Sequence, residues 1–494
     1  MNSRPDILLF LTDQWNPRML GFQGHAQVMT PELDRLAAEG LVFDNAYTPC
    51  PVCMPARWSL ATGLYPHHHG LWMNMTGIAC PPEQITLFRG LKNAGYSTAK
   101  IGKFHYFDVH ENPQGGTEDY FKAIGLDTAE EIPEPYACPW SRSDYTEHLK
   151  SKGLLRDYLA DLCERFEAGD EAIVRPAPVP AEDHPDAFIT EQVLEAIQAQ
   201  PTDRPMFLCA SLPGPHSPFD APGRYGSLFD PDEMVLAPNT PERLFDRHDR
   251  AHMRKIQANY FGKLAMLDDC ASRIVTALES RGNWDETLMI FSADHGEYLS
   301  AHNRMGKCGF HEESAGIPLL IRPPGGNRER GRHTSALASL VDVHATILDA
   351  AGADAVPGTF GRSLLPVLSG EQADVHEAVI SEFGHQGRRD FMVRFGHYKW
   401  FIQDGCEQLY NLENDPWEMH DLIDEESAAA AEARDHLLCF LQNAQINLAD
   451  EYQNLFTRVR GRMQVGEKLS DYLMRELEKL HFGDCRRMNF FDTE

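Results

Sequence analysis

The chain has 494 residues, 42% hydrophobic and 24% charged, with a formal net charge of −29. That length and composition suit one large globular α/β domain with a smaller companion and an ample core. The acidic balance argues against nucleic acid or an anionic membrane as partner, and favours a small substrate over a highly charged anionic polymer.

No apolar run is long enough to span a bilayer. The Met1-Asn2-Ser3-Arg4-Pro5-Asp6 segment leads into an apolar run too short for a secretory signal, so a cytoplasmic location is expected. The eleven cysteines are scattered, and Cys209, Cys270 and Cys439 lie in apolar runs, so buried, reduced thiols are expected.

Ile7-Leu8-Leu9-Phe10-Leu11 has the continuous apolar character of a buried parallel strand, and it stops at Thr12-Asp13-Gln14. Polar side chains at such a strand end lie at the carboxyl edge of the sheet, where open α/β folds bind ligands. The plainer role for Asp13 is an N-cap. Thr30-Pro31 opens an amphipathic helix with Thr30 as its capping residue, and residues 41–47 are extended.

Cys50-Pro51-Val52-Cys53-Met54-Pro55-Ala56-Arg57, continuing to Thr62-Gly63, reads as a turn feeding a short helix. Pro55 suits the first helical position and Gly63 the C′ position. Cys53 then sits just before a helix N-terminus, where free N–H groups and the dipole lower a thiol pKa. Cys50 and Cys53 also have the spacing of a redox pair or half a zinc site. In Pro66-His67-His68-His69-Gly70, consecutive histidines cannot all face one ion, so a structural or rim loop is expected.

Residues 96–102 read as a strand, with Lys103 and His105 at its polar tip. Residues 127–185 are acidic and proline-rich, an expected insertion near the mouth of a site that shapes substrate choice. A helix is predicted over 187–198 and a buried strand over 206–212, followed by Pro215-His216-Ser217-Pro218-Phe219. A long helix over 252–280 precedes a strand over 288–293 that ends in Asp294-His295-Gly296-Glu297. Two strand ends, Asp13-Gln14 and Asp294-His295, thus bring ligand-type side chains to one sheet edge, a mixed O/N set for a hard or borderline cation.

Beyond Lys307, a strand over 317–322 and a helix over 340–348 are predicted, and the composition changes near residue 370. Short strands over 378–381, 390–395 and 397–402 and a helix over 428–447 follow. The expected domains are 1–372, 373–447 and a helical tail, 448–494, whose apolar residues Leu469, Tyr472, Leu473 and Leu477 pack on a second subunit or fold back on the chain.

In order, from about residue 5 to 422, these motifs resemble the sulfatase family of the alkaline phosphatase superfamily. Cys53-x-Pro55-x-Arg57 with Thr62-Gly63 is similar to the family signature, with Ala56 where serine is usual. The resemblance implies an alkaline-phosphatase-like αβα sandwich with a large, mostly parallel mixed sheet, a small antiparallel-sheet subdomain and a helical tail. It implies that a formylglycine-generating enzyme converts Cys53 to formylglycine, whose hydrate attacks sulfur. One divalent metal, Ca2+ or Mn2+, would be held by Asp13, Gln14, Asp294, His295 and residue 53. Many sulfatases have asparagine at the position of His295, whereas the phosphonate hydrolase branch has histidine.

By the same resemblance, Arg57 and Lys103 neutralise charge around the nucleophile, with Lys103 holding the sulfate, and His105 takes the proton as sulfate leaves. His216 and Lys307 contact sulfate and serve the leaving group. Asn74 matches an active-site asparagine of the choline-sulfatase and phosphonate hydrolase branches. The implied reaction is hydrolysis of aryl or small alkyl sulfate monoesters, in a homo-oligomer (dimer or tetramer). Two other readings stand beside it. One is a phosphonate monoester or phosphodiester hydrolase, favoured by His295, Gln14 and the tail and opposed by Lys103 and His105. The other is a thiol or metal-binding protein built around Cys50 and Cys53.

Overall fold

The apolar runs at 7–11, 206–212 and 288–293 form the centre of one sheet. The computed structural model describes residues 4–443 apart from 75–77, 82–83, 108–116, 170, 327–331, 357 and 386–387. Its strands are β1 (Asp6–Asp13), β2 (Leu41–Tyr47), β3 (Ser97–Gly102), β4 (Thr128–Glu131), β5 (Met206–Pro215), the short hairpin β6 (Arg243–Leu244) and β7 (His248–Asp249), β8 (Thr287–Ala293), β9 (Leu319–Arg322) and β10 (Arg332–Ser339).

Eight of them form the large sheet, in the order β10-β2-β9-β8-β1-β5-β3-β4. Only β9 runs against the others. In the register, Thr12 on β1 lies opposite Leu212 on β5 and Ala293 on β8, so Asp13 and Asp294 leave the sheet at the same edge. All residues of β1, β5 and β8 are buried, as strands covered on both faces require.

Helices Pro31–Glu39, Pro185–Ala199 and Arg250–Arg281 share a core with Leu8, Phe10, Leu208, Ala210, Met289 and Phe291 of the sheet. Helices Cys53–Thr62, Leu87–Asn93 and Leu340–Ala350 pack together in the second layer. The long helix starts with the Asp249 carboxylate accepting the His252 N–H and ends at left-handed Gly282 (φ 84°). Thr30 precedes its helix as predicted, yet its hydroxyl makes no cap bond. Asp268 of the long helix takes that role, accepting the N–H groups of Glu32 and Leu33 at 3.0 and 2.8 Å.

Segment 127–185 is less of an insertion than predicted. It begins with sheet strand β4, then folds into helices Asp144–Ser151 and Leu155–Ala168. Cys209 and Cys270 are buried, while Cys439, predicted to be buried, is exposed; the ten described cysteines are free thiols. Among the described residues, no helix is long and apolar enough to cross a membrane.

The second sheet is antiparallel: β11 (Ala378–His385), β12 (Arg388–Phe395), β13 (Tyr398–Gln403) and β14 (Cys406–Asn411), in that order. Strand β14 extends the three predicted strands, and helix Ser427–Asn443 packs on β12 and β13. Residues 448–494, and the subunit contacts expected of them, lie outside the described residues. A buried ion cluster ties this sheet to the large domain. Lys399 of β13 pairs with Glu312 at 2.8 Å and Glu418 at 2.5 Å, and Glu418 accepts the Glu312 N–H at 2.7 Å.

Removing one partner of a buried pair leaves an uncompensated charge, at a cost of about 3 kcal/mol or more. Lys399→Met should therefore lower the urea midpoint by a corresponding amount, with Lys399→Arg recovering part of it. An unchanged midpoint would show that the cluster does not join the two sheets.

Candidate active site

Helix Cys53–Thr62 is buried along its whole length. Val52 is its N-cap and Cys53 its first residue, so Pro55 stands third and not first as predicted. Proline is tolerated within the first turn, where most N–H groups have no acceptor inside the helix. The Met54 N–H donates instead to Asn74 Oδ1 at 3.0 Å. Asn74, expected to contact substrate, is exposed and secures the helix end at the residue after Cys53. Gly63 closes the helix in the left-handed region (φ 71°).

One turn on, the fully buried Arg57 guanidinium reaches the ends of three strands, β8, β1 and β3, and a residue within a fourth, β5. Nε donates to Asp294 Oδ2 at 2.7 Å and NH2 to Asp13 Oδ2 at 3.1 Å. NH1 donates to the Lys103 carbonyl at 2.7 Å and to Ser211 Oγ at 2.9 Å. Burial and the Cys53 sulfur push the Asp13 carboxyl upward, but Lys103, His216 and Arg57 outweigh them and hold it well below the usual carboxylate range.

With the Oδ2 atoms so engaged, Asp13, Cys53, Asp294 and His295 bring ligand atoms to within 4.8 Å of one another, all buried. His295 Nδ1 bonds the Gly296 carbonyl at 2.9 Å, which leaves Nε2 facing Cys53 Sγ at 3.2 Å, the tautomer of a metal-ligating histidine. Gln14 adjoins the set, its backbone N–H donating to Asp294 Oδ1 at 3.1 Å. Its Nε2 donates to Glu297, and its buried Oε1 has no hydrogen-bond partner. Two carboxylates, an unpartnered amide oxygen and an imidazole nitrogen fit a divalent cation.

Cations line the other side of Cys53. Lys307 Nζ lies 2.6 Å from Sγ and 3.0 Å from His216 Nε2. Burial pushes the Cys53 thiol up, but Lys103, Lys307 and His295 overcome it and hold the thiol well below its ordinary value. His216 Nδ1 is 2.8 Å from the Ser217 carbonyl, and Lys263 of the long helix donates to the carbonyls of His216 (2.7 Å) and Pro218 (2.9 Å). Lys103 Nζ pairs with Asp13 Oδ2 at 2.6 Å and with Glu134. His105, with a left-handed backbone (φ 56°), has a ring nitrogen within 4.8 Å of Sγ and a buried Nδ1 without a hydrogen-bond partner.

Cys50 does not share this setting. Its sulfur lies 3.8 Å from the Trp72 carbonyl, and burial pushes its thiol well above the ordinary value. Of the three histidines, His67 pairs with Glu382 and His69 with Ser59 Oγ at 3.0 Å, both structural contacts.

Ten of the eleven predicted site residues thus bring side chains together, and the eleventh, Asn74, bonds the backbone of Met54 beside Cys53. Sequence reasoning missed Ser211, Glu297 and Glu134. Glu297 sat unassigned within Asp294-His295-Gly296-Glu297, and the proline-flanked Pro133-Glu134-Pro135 was the only local sign of Glu134.

A family model described as sulfatase matches residues 5–353. One described as N-sulphoglucosamine sulphohydrolase, C-terminal, matches residues 300–444. The chain is 30% identical to a multifunctional alkaline phosphatase superfamily protein, PehA, of Trinickia caryophylli, over 77% of this chain and 80% of that one. It is 26% identical to an arylsulfatase of Clostridium perfringens, over 86% and 91%. A solved phosphonate monoester hydrolase of Agrobacterium radiobacter superposes with a TM-score of 0.73 at 24% identity, covering 89% and 96%. The chain belongs to the sulfatase family, whose members use a divalent metal and a formylglycine. Its reaction is the hydrolysis of sulfate esters.

Gly102 (φ 102°) offers a test of this geometry. A Cβ there would fall 2.0 Å from the Ser211 carbonyl oxygen and displace the strand end that carries Lys103. Misplacement on the ångström scale costs about 100-fold in rate. Gly102→Ala should lower kcat/KM for an aryl sulfate by about that factor while the circular dichroism spectrum stays native. Unaltered kinetics would contradict the geometric account.

Proposed function

We propose that the chain hydrolyses small sulfate monoesters with a formylglycine made from Cys53 by a formylglycine-generating enzyme, beside one cation, calcium or manganese, held by Asp13, Gln14, Asp294, His295 and residue 53. The observation that carries this reading is the two-sided setting of Cys53, with cation ligands on one side and lysines and histidines on the other. When bound, the cation neutralises sulfate charge and acidifies a neighbouring hydroxyl. The formylglycine supplies a hydrated aldehyde as nucleophile.

The chain's own groups do the rest. Arg57 holds both aspartates by their Oδ2 atoms, while Asp294 Oδ1, which accepts the Gln14 and His295 N–H groups, and Asp13 Oδ1 face the cation position. Lys103 and Lys307 donate to sulfate oxygens and stabilise charge on the leaving oxygen. His216, with Nδ1 against the Ser217 carbonyl, accepts a hydrogen bond from the Lys307 ammonium at Nε2 and so orients the group that serves that oxygen. His105, with Nδ1 unpartnered, is placed to accept the nucleophile's proton as sulfate departs. His295, the residue of the phosphonate hydrolase branch, supports a secondary activity on phosphonate esters.

Protein produced with a formylglycine-generating enzyme should turn over 4-nitrophenyl sulfate faster than a 4-nitrophenyl phosphonate ester under one condition. A dominant phosphonate rate would overturn the sulfate assignment. Cys53→Ala should abolish turnover and Cys50→Ser preserve it; the reverse would return the thiol reading. Chelation should abolish turnover, and restoration by Ca2+ or Mn2+ should identify the cation. Activity that survives complete metal removal would contradict the cation's role.

A further inference from the structure

Glu134 brings a negative charge into a site built for anions. It follows β4 between Pro133 and Pro135, with an extended backbone (φ −59°, ψ 156°), just before the 3-10 turn Pro135–Trp140. The prolines fix their own φ, and the residue before a proline favours extended geometry, so the carboxylate is held in place by the backbone. It pairs with Lys103 Nζ and lies within 4.8 Å of both Cys53 Sγ and a ring nitrogen of His105. Its side chain is 24% exposed, whereas that of Lys103 is 2% exposed. Lys103 therefore stands between two carboxylates, Asp13 behind it and Glu134 on the open side. Lys103, His216 and His105 overcome the effect of burial and hold the Glu134 carboxyl at about 2, so it is charged whenever the enzyme works.

An ester that presents its reacting atom to residue 53 puts its oxygens beside this carboxylate. We infer that Glu134 sets the charge the site accepts, admitting singly charged ester groups such as sulfate monoesters and discriminating against doubly charged phosphate monoesters. The inference rests on the proposed role of Lys103 as a sulfate ligand. The two esters share a tetrahedral shape and donor geometry, so shape and hydrogen bonding separate them poorly. Charge separates them directly. One further unit of negative charge about 5 Å from a carboxylate, at an effective dielectric constant of about 20, corresponds to about a hundredfold in affinity, and solvent screening lowers that toward tenfold. The remaining charges at the site, Arg57, Lys103, Lys307 and the cation against Asp13 and Asp294, are net positive and would draw in a dianion more strongly than a monoanion. Glu134 is the negative group placed against the substrate side of that cluster.

The test uses the metal-loaded, formylglycine-containing enzyme and its Glu134→Gln and Glu134→Asp variants. The probes are 4-nitrophenyl sulfate, 4-nitrophenyl phosphate and a singly charged 4-nitrophenyl phosphonate ester. In Glu134→Gln, kcat/KM for the phosphate relative to the sulfate should rise about tenfold or more, while the phosphonate gains nothing relative to sulfate. Phosphate monoesters acquire their second charge near pH 6, so the preference of the parent enzyme for sulfate should steepen above that pH and flatten in the glutamine variant. Glu134→Asp, which keeps the charge, should keep the discrimination. Equal changes for all three esters, or an unchanged phosphate-to-sulfate ratio, would overturn the inference and leave Glu134 as a prop for Lys103. Failure of the underlying reading looks different: Lys103→Met would then turn over 4-nitrophenyl sulfate with unchanged KM.

Discussion

The site depends on one buried guanidinium. Two carboxylates at adjoining strand ends, both out of water, would repel each other and lose their charge. Arg57 reaches them from the first helical turn after Cys53 and takes one oxygen from each, Asp13 Oδ2 and Asp294 Oδ2. With its remaining bonds to the Lys103 carbonyl and Ser211 Oγ it joins the ends of β1, β8 and β3 to β5. The same bonds decide which carboxylate oxygens turn toward Cys53, and so which way the ligand set faces. Charge balance, strand register and ligand orientation are here one constraint.

Other groups extend that logic outward. Glu297 fixes the Gln14 amide so that its oxygen has no protein partner. Lys263, from a helix that also packs against the sheet, grips the loop that presents His216. Away from the site, His302, Glu313 and Glu418 also draw ligand atoms to within 4.8 Å, but Asn239 bonds His302 and Glu313, and Lys399 pairs with Glu418. In that cluster Lys399 already supplies a cation to Glu418, whereas the cluster at Cys53 turns two carboxylates and an imidazole toward one point.

Most of this was legible from local pattern. Continuous apolar runs marked the central strands, and the rule that ligands bind at carboxyl strand ends singled out Asp13 and Asp294 before any contact was known. The ordered motifs carried the family, and through it Lys103, His105, His216 and Lys307. What escaped was long-range. Asn74 resembles a substrate ligand in sequence, yet its partner is the N–H of Met54, which only the folded chain reveals. Thr30 has the chemistry of a cap, but Asp268, more than 200 residues on, fills that place. Glu134 lies in a segment without periodicity, and its meaning depends wholly on the lysine it meets across the sheet edge.

The central claim is that residue 53 works as an aldehyde and not as a thiol. The mass of the peptide spanning residue 53, from protein made alongside a formylglycine-generating enzyme, tests it most directly. The account predicts the mass of formylglycine, in proportion to specific activity across preparations. An intact cysteine in fully active protein would contradict it, and would assign catalysis to the thiolate that Lys103 and Lys307 stabilise.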